Sequence, residues 1–247
     1  LVGEHRVPGA FDVTYHSNSR RFRGTREYAD TQPRGVRRVV ALGDSMTFGI
    51  GADDDGTYPH FLEAALRRGD ADAEVVNAGI PGTGPGEHAL WYRSGVADLR
   101  PRLVVESVFE DMKTKREVFG ELDRVCAPHT ILATNTSTLS VSEIAAATSR
   151  PARCIGTHFL IPAALTPLVE VSRGLDTSDE THDAVVEVLK ACGKDTVTFA
   201  DAPAFVINRL YIPLLNEAFF LLQEGIGTAE EIDKACERGL GFPVGPF

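Results

Sequence analysis

The triplet Gly43-Asp44-Ser45 follows directly on Val39-Val40-Ala41-Leu42, a continuous apolar run that reads as a buried parallel strand. A serine on a tight strand-to-helix turn presents its hydroxyl beyond the strand's carboxyl end, where backbone N–H groups can hold an oxyanion. A second loop, Asn77-Ala78-Gly79-Ile80-Pro81-Gly82, closes the next predicted strand. In an open α/β sheet ligands bind at those carboxyl ends. A base for Ser45 is offered by the string Asp179-x-x-His182, at a predicted helix start. Without a base, the hydroxyl is a poor nucleophile. His158 carries a different chemistry. It closes a predicted strand, residues 154–159, with Glu170 on the next, residues 168–171. An imidazole titrates near neutral pH, as a general base must, and a carboxylate beside it orients the ring. Cys126, Cys154, Cys192 and Cys236 show neither metal-ligand spacing nor close pairing, so they read as reduced thiols and no metal site is expected.

The elements that must position these groups alternate. After an Arg-rich arm over residues 1–36, with Phe11, Val13 and Tyr15 suggesting a hairpin, strands are predicted near residues 39–42, 74–77, 103–109, 130–133, 154–159, 168–171 and 196–199. Helices are predicted at 58–68, 88–99, 113–125, 140–148 and 179–191, that at 140 opened by the capping box Ser140-x-x-Glu143. The fold class is therefore α/β: a doubly wound, mainly parallel, Rossmann-like three-layer sheet. After Asp201 only helices follow, so a truncated all-helical domain is expected. Residues 205–223 are apolar nearly all round and predict a helix buried in a core or an oligomer interface.

At 247 residues and 43% hydrophobic, the chain has ample material for a core, and disorder, collagen and coiled coil are excluded. A net charge of −10 argues against nucleic acid or an anionic membrane as partner. No apolar run reaches membrane-spanning length. No charged segment followed by an apolar run opens the sequence, so no targeting peptide is read and a cytoplasmic location is expected. All five lysines and all four cysteines lie after Val104, whereas the first part carries 13 arginines. This drift suggests two ancestors and four segments: the arm at 1–36, α/β halves at 37–104 and 105–200, and the helical start at 201–247.

Two resemblances fit that division. Leu42-Gly43-Asp44-Ser45-Met46-Thr47-Phe48-Gly49, with Asn77-Ala78-Gly79-Ile80-Pro81-Gly82 and the upstream Asn18-Ser19-Arg20-Arg21-Phe22-Arg23-Gly24, resembles the SGNH/GDSL hydrolases. That resemblance implies Ser45 as nucleophile, with Gly82 in the oxyanion hole and Asp179 and His182 completing an alternative hydrolase site. It stops where the family's asparagine is due, because Glu110-Asp111 stands there. From about residue 103 onward the chain resembles 3-hydroxyacyl-CoA dehydrogenase. The segments that carry this are Val104-Val105-Glu106-Ser107-Val108-Phe109-Glu110-Asp111, Ala133-Thr134-Asn135-Thr136-Ser137-Thr138-Leu139-Ser140, Ile155-Gly156-Thr157-His158-Phe159, Phe205-Val206-Ile207-Asn208-Arg209 and Gly239-Leu240-Gly241-Phe242-Pro243.

The second resemblance implies hydride transfer between a 3-hydroxyacyl-CoA and NAD, as in fatty-acid β-oxidation. His158 is the implied base, Glu170 its partner, and Ser137 and Asn208 bond the reacting oxygen. Glu110, Lys115, Asn135 and Ser137 are implied on the cofactor side. A homodimer or larger assembly through residues 205–223 is implied as well. Three departures stand against it. Leu160-Ile161-Pro162 replaces the family's Asn-Pro, and Ala204 replaces a common glycine. Gly43-Asp44-Ser45-Met46-Thr47-Phe48 keeps only the first glycine of a dinucleotide loop, with Asn77 where a ribose-binding acid is due. The leading expectation is a dehydrogenase impaired by that loop; the alternatives are a serine esterase and a catalytically incomplete chimera or fragment joined near residues 101–105.

Overall fold

In the computed structural model, which describes residues 2–7, 11–30, 33–68, 72–82, 91–161, 163 and 166–247, residues 39–42 are buried throughout. Their strand, β3 (Arg37–Gly43), lies inside a sheet covered on both faces, which is what a continuous apolar run requires. Before it, β1 (Val2–Val7) and β2 (Phe11–His16) pair antiparallel as the expected hairpin. After it come a short α1 (Ser45–Phe48), α2 (Tyr58–Arg68) and β4 (Ala73–Gly79). Then follow β5 (Leu103–Ser107), α3 (Met112–Val125), β6 (Ile131–Asn135), α4 (Val141–Ala145) and β7 (Cys154–Phe159). The unit closes with β8 (Leu168–Arg173), α5 (Asp179–Ala191) and β9 (Asp195–Ala200). The helix expected at 88–99 begins outside the described residues; short irregular helical turns occupy 92–99.

The seven-stranded sheet has the order β4-β3-β5-β6-β7-β8-β9. Neighbours are parallel except β7 and β8, which are antiparallel. Strands β3 to β7 therefore end on one rim, while β8 and β9 end on the opposite one. The strand order reverses at β3, whose neighbours are β4 and β5, and this switch point is where open α/β sheets bind ligands.

One core lies on each face, and both run across residues 101–105. On one face Phe22, Leu42, Val76 and Tyr92 join Val104, Phe119, Leu132 and Ile144. On the other, Val39, Leu66 and Val75 join Leu103, Ala133, Ile155, Val171 and Val185. Arg38, fully buried, donates to Glu74 and to the carbonyls of Ala29 and Leu99, tying the arm to the sheet. The expected join between two separate parts is thereby corrected. Unlike composition does not divide this sheet.

The compact units are residues Leu1–Pro203 and Ala204–Phe247. The second holds α6 (Ile207–Gln223) and α7 (Ala229–Gly239), the latter opened by a capping box between Thr228 and Glu231. Of the two expectations for α6, burial in a core is not found within the chain. Leu210, Tyr211, Ile212, Phe219 and Phe220 are exposed, and Ala218 is its one buried residue. A helix apolar all round needs neighbours on every side, and α7 covers one.

Candidate active site

His158 and Glu170 face each other because β7 and β8 are antiparallel and the two residues are register partners. Cross-strand partners put their side chains on one face, close enough to bond. His158 Nδ1 lies 2.7 Å from Glu170 Oε2, with side-chain exposures of 6% and 0%. Glu170, as carboxylate, only accepts, so Nδ1 carries the proton and donates; Nε2 is then the basic nitrogen. This is the tautomer a general base needs.

Lys115 lies in α3, whose N-terminus is capped by the Asp111 carboxylate accepting from Thr114 N at 2.8 Å. Both Lys115 and Glu106 are fully buried, and Nζ donates to Glu106 Oε1 at 2.9 Å. Nζ also donates to the carbonyls of Asn135 at 2.9 Å and Val108 at 3.3 Å, so three acceptors match its three donors. Glu106 further accepts from Val108 N and the Thr134 hydroxyl. This buried hub fastens the carboxyl ends of β5 and β6 to each other. Asn135 extends it: Nδ2 donates to Ser107 Oγ at 2.9 Å, and Oδ1 accepts from Phe159 N at 3.2 Å, linking β5, β6 and β7.

Above the hub, Glu110 Oε1 accepts from Thr136 Oγ1 at 2.6 Å, Ser137 N at 2.8 Å and Thr138 N at 2.9 Å. Partial burial pushes its carboxyl up, but the Thr136 hydroxyl, the nearby Lys115 ammonium and the two amides outweigh that and hold it below the usual carboxylate range. Ser137 is thus set on a backbone held by a charge, on the rim where His158 also lies. Sequence reasoning missed Glu106 as part of this arrangement. Its one signal was a carboxylate inside an otherwise apolar strand text, Val104-Val105-Glu106-Ser107-Val108. Asn208 lies in the first turn of α6, in the second unit.

Ser45 opens α1 directly after β3, and Gly82 sits in an exposed turn beyond β4 at the same rim. His182 does not join them. Because β8 runs opposite to β7, α5 starts at the other rim, where Ser178 N bonds Ala152 O just before β7 begins. There His182 bonds Asp183 Oδ1 and Thr198 Oγ1, each at 2.9 Å, and Asp179 pairs with Arg173. The expected hydrolase constellation is therefore dispersed over two ends of the sheet. The loop after β3 is also filled by the chain itself. A Cβ on Gly43 would come within 2.2 Å of Thr47 Oγ1, and one on Gly79 within 2.2 Å of Phe48 N. Those two glycines serve close packing of the loop's own residues.

Proteins of known family resemble this chain in sequence and in fold. Residues 92–202 match the NAD-binding domain of 3-hydroxyacyl-CoA dehydrogenase, and residues 205–247 match its C-terminal domain. A probable 3-hydroxybutyryl-CoA dehydrogenase of Bacillus subtilis is 47% identical over 145 residues, 59% of this chain and 50% of the relative. The human mitochondrial hydroxyacyl-coenzyme A dehydrogenase is 45% identical over 59% of this chain and 46% of its own. The chain thus spans about half the length of the curated relatives it matches. The crystal structure of (S)-3-hydroxybutyryl-CoA dehydrogenase from Ralstonia eutropha superposes with a TM-score of 0.66 at 29% identity, covering 85% of this chain and 80% of the other. That likeness extends well past the 59% matched in sequence, into the strands before residue 92.

These findings correct four expectations. The front strands belong to one continuous dehydrogenase-like fold, so the separate SGNH/GDSL segment, its serine esterase activity and the two-parent chimera fall away. The serine-containing turn is a local likeness only. The cytoplasmic expectation does not stand either, since the human, rat, mouse and pig relatives bear the word mitochondrial in their names. Among the described residues, no helix is long and apolar enough to cross a membrane.

Proposed function

We propose that this chain, whose residues 92–202 and 205–247 match the two domains of 3-hydroxyacyl-CoA dehydrogenase, oxidises a 3-hydroxyacyl-CoA to the 3-ketoacyl-CoA. The observation that carries the reading is the buried His158–Glu170 pair on the rim where open sheets bind ligands. His158 Nε2 takes the proton of the 3-hydroxyl, and Glu170 stabilises the imidazolium that results. Ser137 hydrogen-bonds the reacting oxygen. NAD, when bound, supplies the acceptor for the hydride that leaves C3 as the ketone forms. In the reverse direction His158 returns the proton to the alkoxide oxygen.

The chain fits NAD unevenly. Glu110, Asn135 and Ser137 would hold the cofactor, with Lys115 acting from beneath through Glu106 and the Asn135 carbonyl. Where a glycine loop would hold the pyrophosphate, Thr47 packs against Gly43 and Phe48 against Gly79. A phosphate without a cradle of backbone N–H groups loses several charge-assisted bonds. Titration calorimetry should therefore give an NADH dissociation constant of about 1 mM or weaker. Micromolar binding would mean that the Ser45 turn replaces the glycine cradle.

Catalysis is tested by following NADH formation at 340 nm from 3-hydroxybutyryl-CoA at millimolar NAD. Activity that depends on His158 supports the reading, and its absence at saturating substrate contradicts it. For assembly, the proposal is a homodimer or larger species through residues 205–223. The helix α6 exposes Phe219 and Phe220 at 56% and 54%, an apolar surface that favours association. Light scattering should show a dimer or larger at tens of micromolar, reduced to monomer by Phe220→Glu. A wild-type monomer would remove this part of the proposal.

A further inference from the structure

The loop that carries Ser137 is gripped from two sides, and only one grip has been used so far. Glu110 holds its entry through Thr136, Ser137 and Thr138. Its exit, at the start of α4, is held by Asp201. Asp201 Oδ2 accepts from Ser140 Oγ at 2.7 Å and Ser142 N at 2.8 Å, and Oδ1 accepts from Val141 N at 2.9 Å. Asp201 reaches there from the end of β9, some 60 residues along the chain, with its own N–H bonded to Arg173 O at 3.0 Å. We propose that Asp201 is a positioning residue for the proposed reaction, fixing the exit of the Ser137 loop and through it the Ser137 hydroxyl.

The geometry carries this on three counts. Three donors on three consecutive residues, 140–142, converge on one carboxylate, so the backbone there has a single arrangement that satisfies it. Burial pushes the Asp201 carboxyl up, yet the bonds from Ser142, Ser140 and Val141 outweigh it and keep the group below the usual carboxylate range; the anion is the form the loop is built around. Between the two carboxylates only Leu139 lacks a bond to either, and its N–H is held by Thr136 Oγ1 at 3.1 Å. A loop pinned at both ends leaves Ser137 little room to move, which is what orientation of a reacting oxygen demands.

The inference rests on the functional reading above, and its test separates the two. In 3-hydroxybutyryl-CoA oxidation, Asp201→Ala should lower kcat by roughly 10–100-fold while KM for the acyl-CoA changes by less than about twofold. In a Ser137→Ala background the same substitution should cost less than about twofold, because it acts through Ser137. If the full loss persists there, or no loss occurs in the parent, Asp201 does not position Ser137. Should Asp201→Ala fail to fold, Asp201→Asn, which keeps the shape and one acceptor, should show a smaller loss that likewise vanishes in the Ser137→Ala background. If the wild-type chain is inactive, the functional reading falls. Amide hydrogen exchange over residues 137–142 then decides the loop separately: faster exchange in Asp201→Asn supports the grip, and unchanged exchange overturns it.

Discussion

Replacing His158 by alanine should lower kcat for 3-hydroxybutyryl-CoA oxidation by about 10²–10⁴-fold, the usual contribution of a positioned general base. Binding of the acyl-CoA should change little, since the ring is spent on proton transfer and buried contact with Glu170. Glu170→Gln should also lose activity, because an amide can donate to Nδ1 and so favour the wrong tautomer. The check is steady-state turnover with circular dichroism to verify folding. A His158→Ala variant that retains more than about a tenth of the wild-type kcat would show that the proton leaves by another route.

The second large effect concerns stability. Lys115→Met leaves the Glu106 carboxylate at 0% exposure without its cation, and uncompensated buried charge typically costs about 3–5 kcal/mol. Urea unfolding should show a lowered midpoint with an unchanged slope. The double variant Glu106→Gln/Lys115→Met should recover most of the loss, since the amide oxygen can still accept from Val108 N. A loss below about 1 kcal/mol in the single variant would place this pair with weak surface ion pairs and remove the hub from the account.

Much of the sheet was legible because buried parallel strands are short continuous apolar runs and several helices announce their starts. Ser140 does cap the helix read from it. What local text does not contain is polarity and register. Nothing in residues 160–167 says that β8 must turn back on β7, yet that reversal makes His158 and Glu170 partners and sends His182 to the far rim. The Gly43-Asp44-Ser45 resemblance failed for the same reason. It described a turn, and turns recur in unrelated folds, whereas cores running from Leu42 and Val76 into Val104 and Leu132 are set by the sheet as a whole. Lys115 was legible as important but its role was not. A lysine on a helix reads as a solvated charge or a ligand-binding one until Glu106, nine residues earlier in a strand, is seen beneath it. For α6 the sequence left core and oligomer interface open, because apolarity predicts a need for cover without saying whether the chain supplies it.

The central claim is hydride transfer from C3 of a 3-hydroxyacyl-CoA on a site built around His158. Incubating the purified chain with 3-hydroxybutyryl-CoA deuterated at C3 and millimolar NAD, then weighing the product NADH by mass spectrometry, tests it most directly. The account predicts NADH carrying one deuterium per acetoacetyl-CoA formed, with none from His158→Ala in the same time; absence of deuterated NADH from the folded wild-type chain would contradict it.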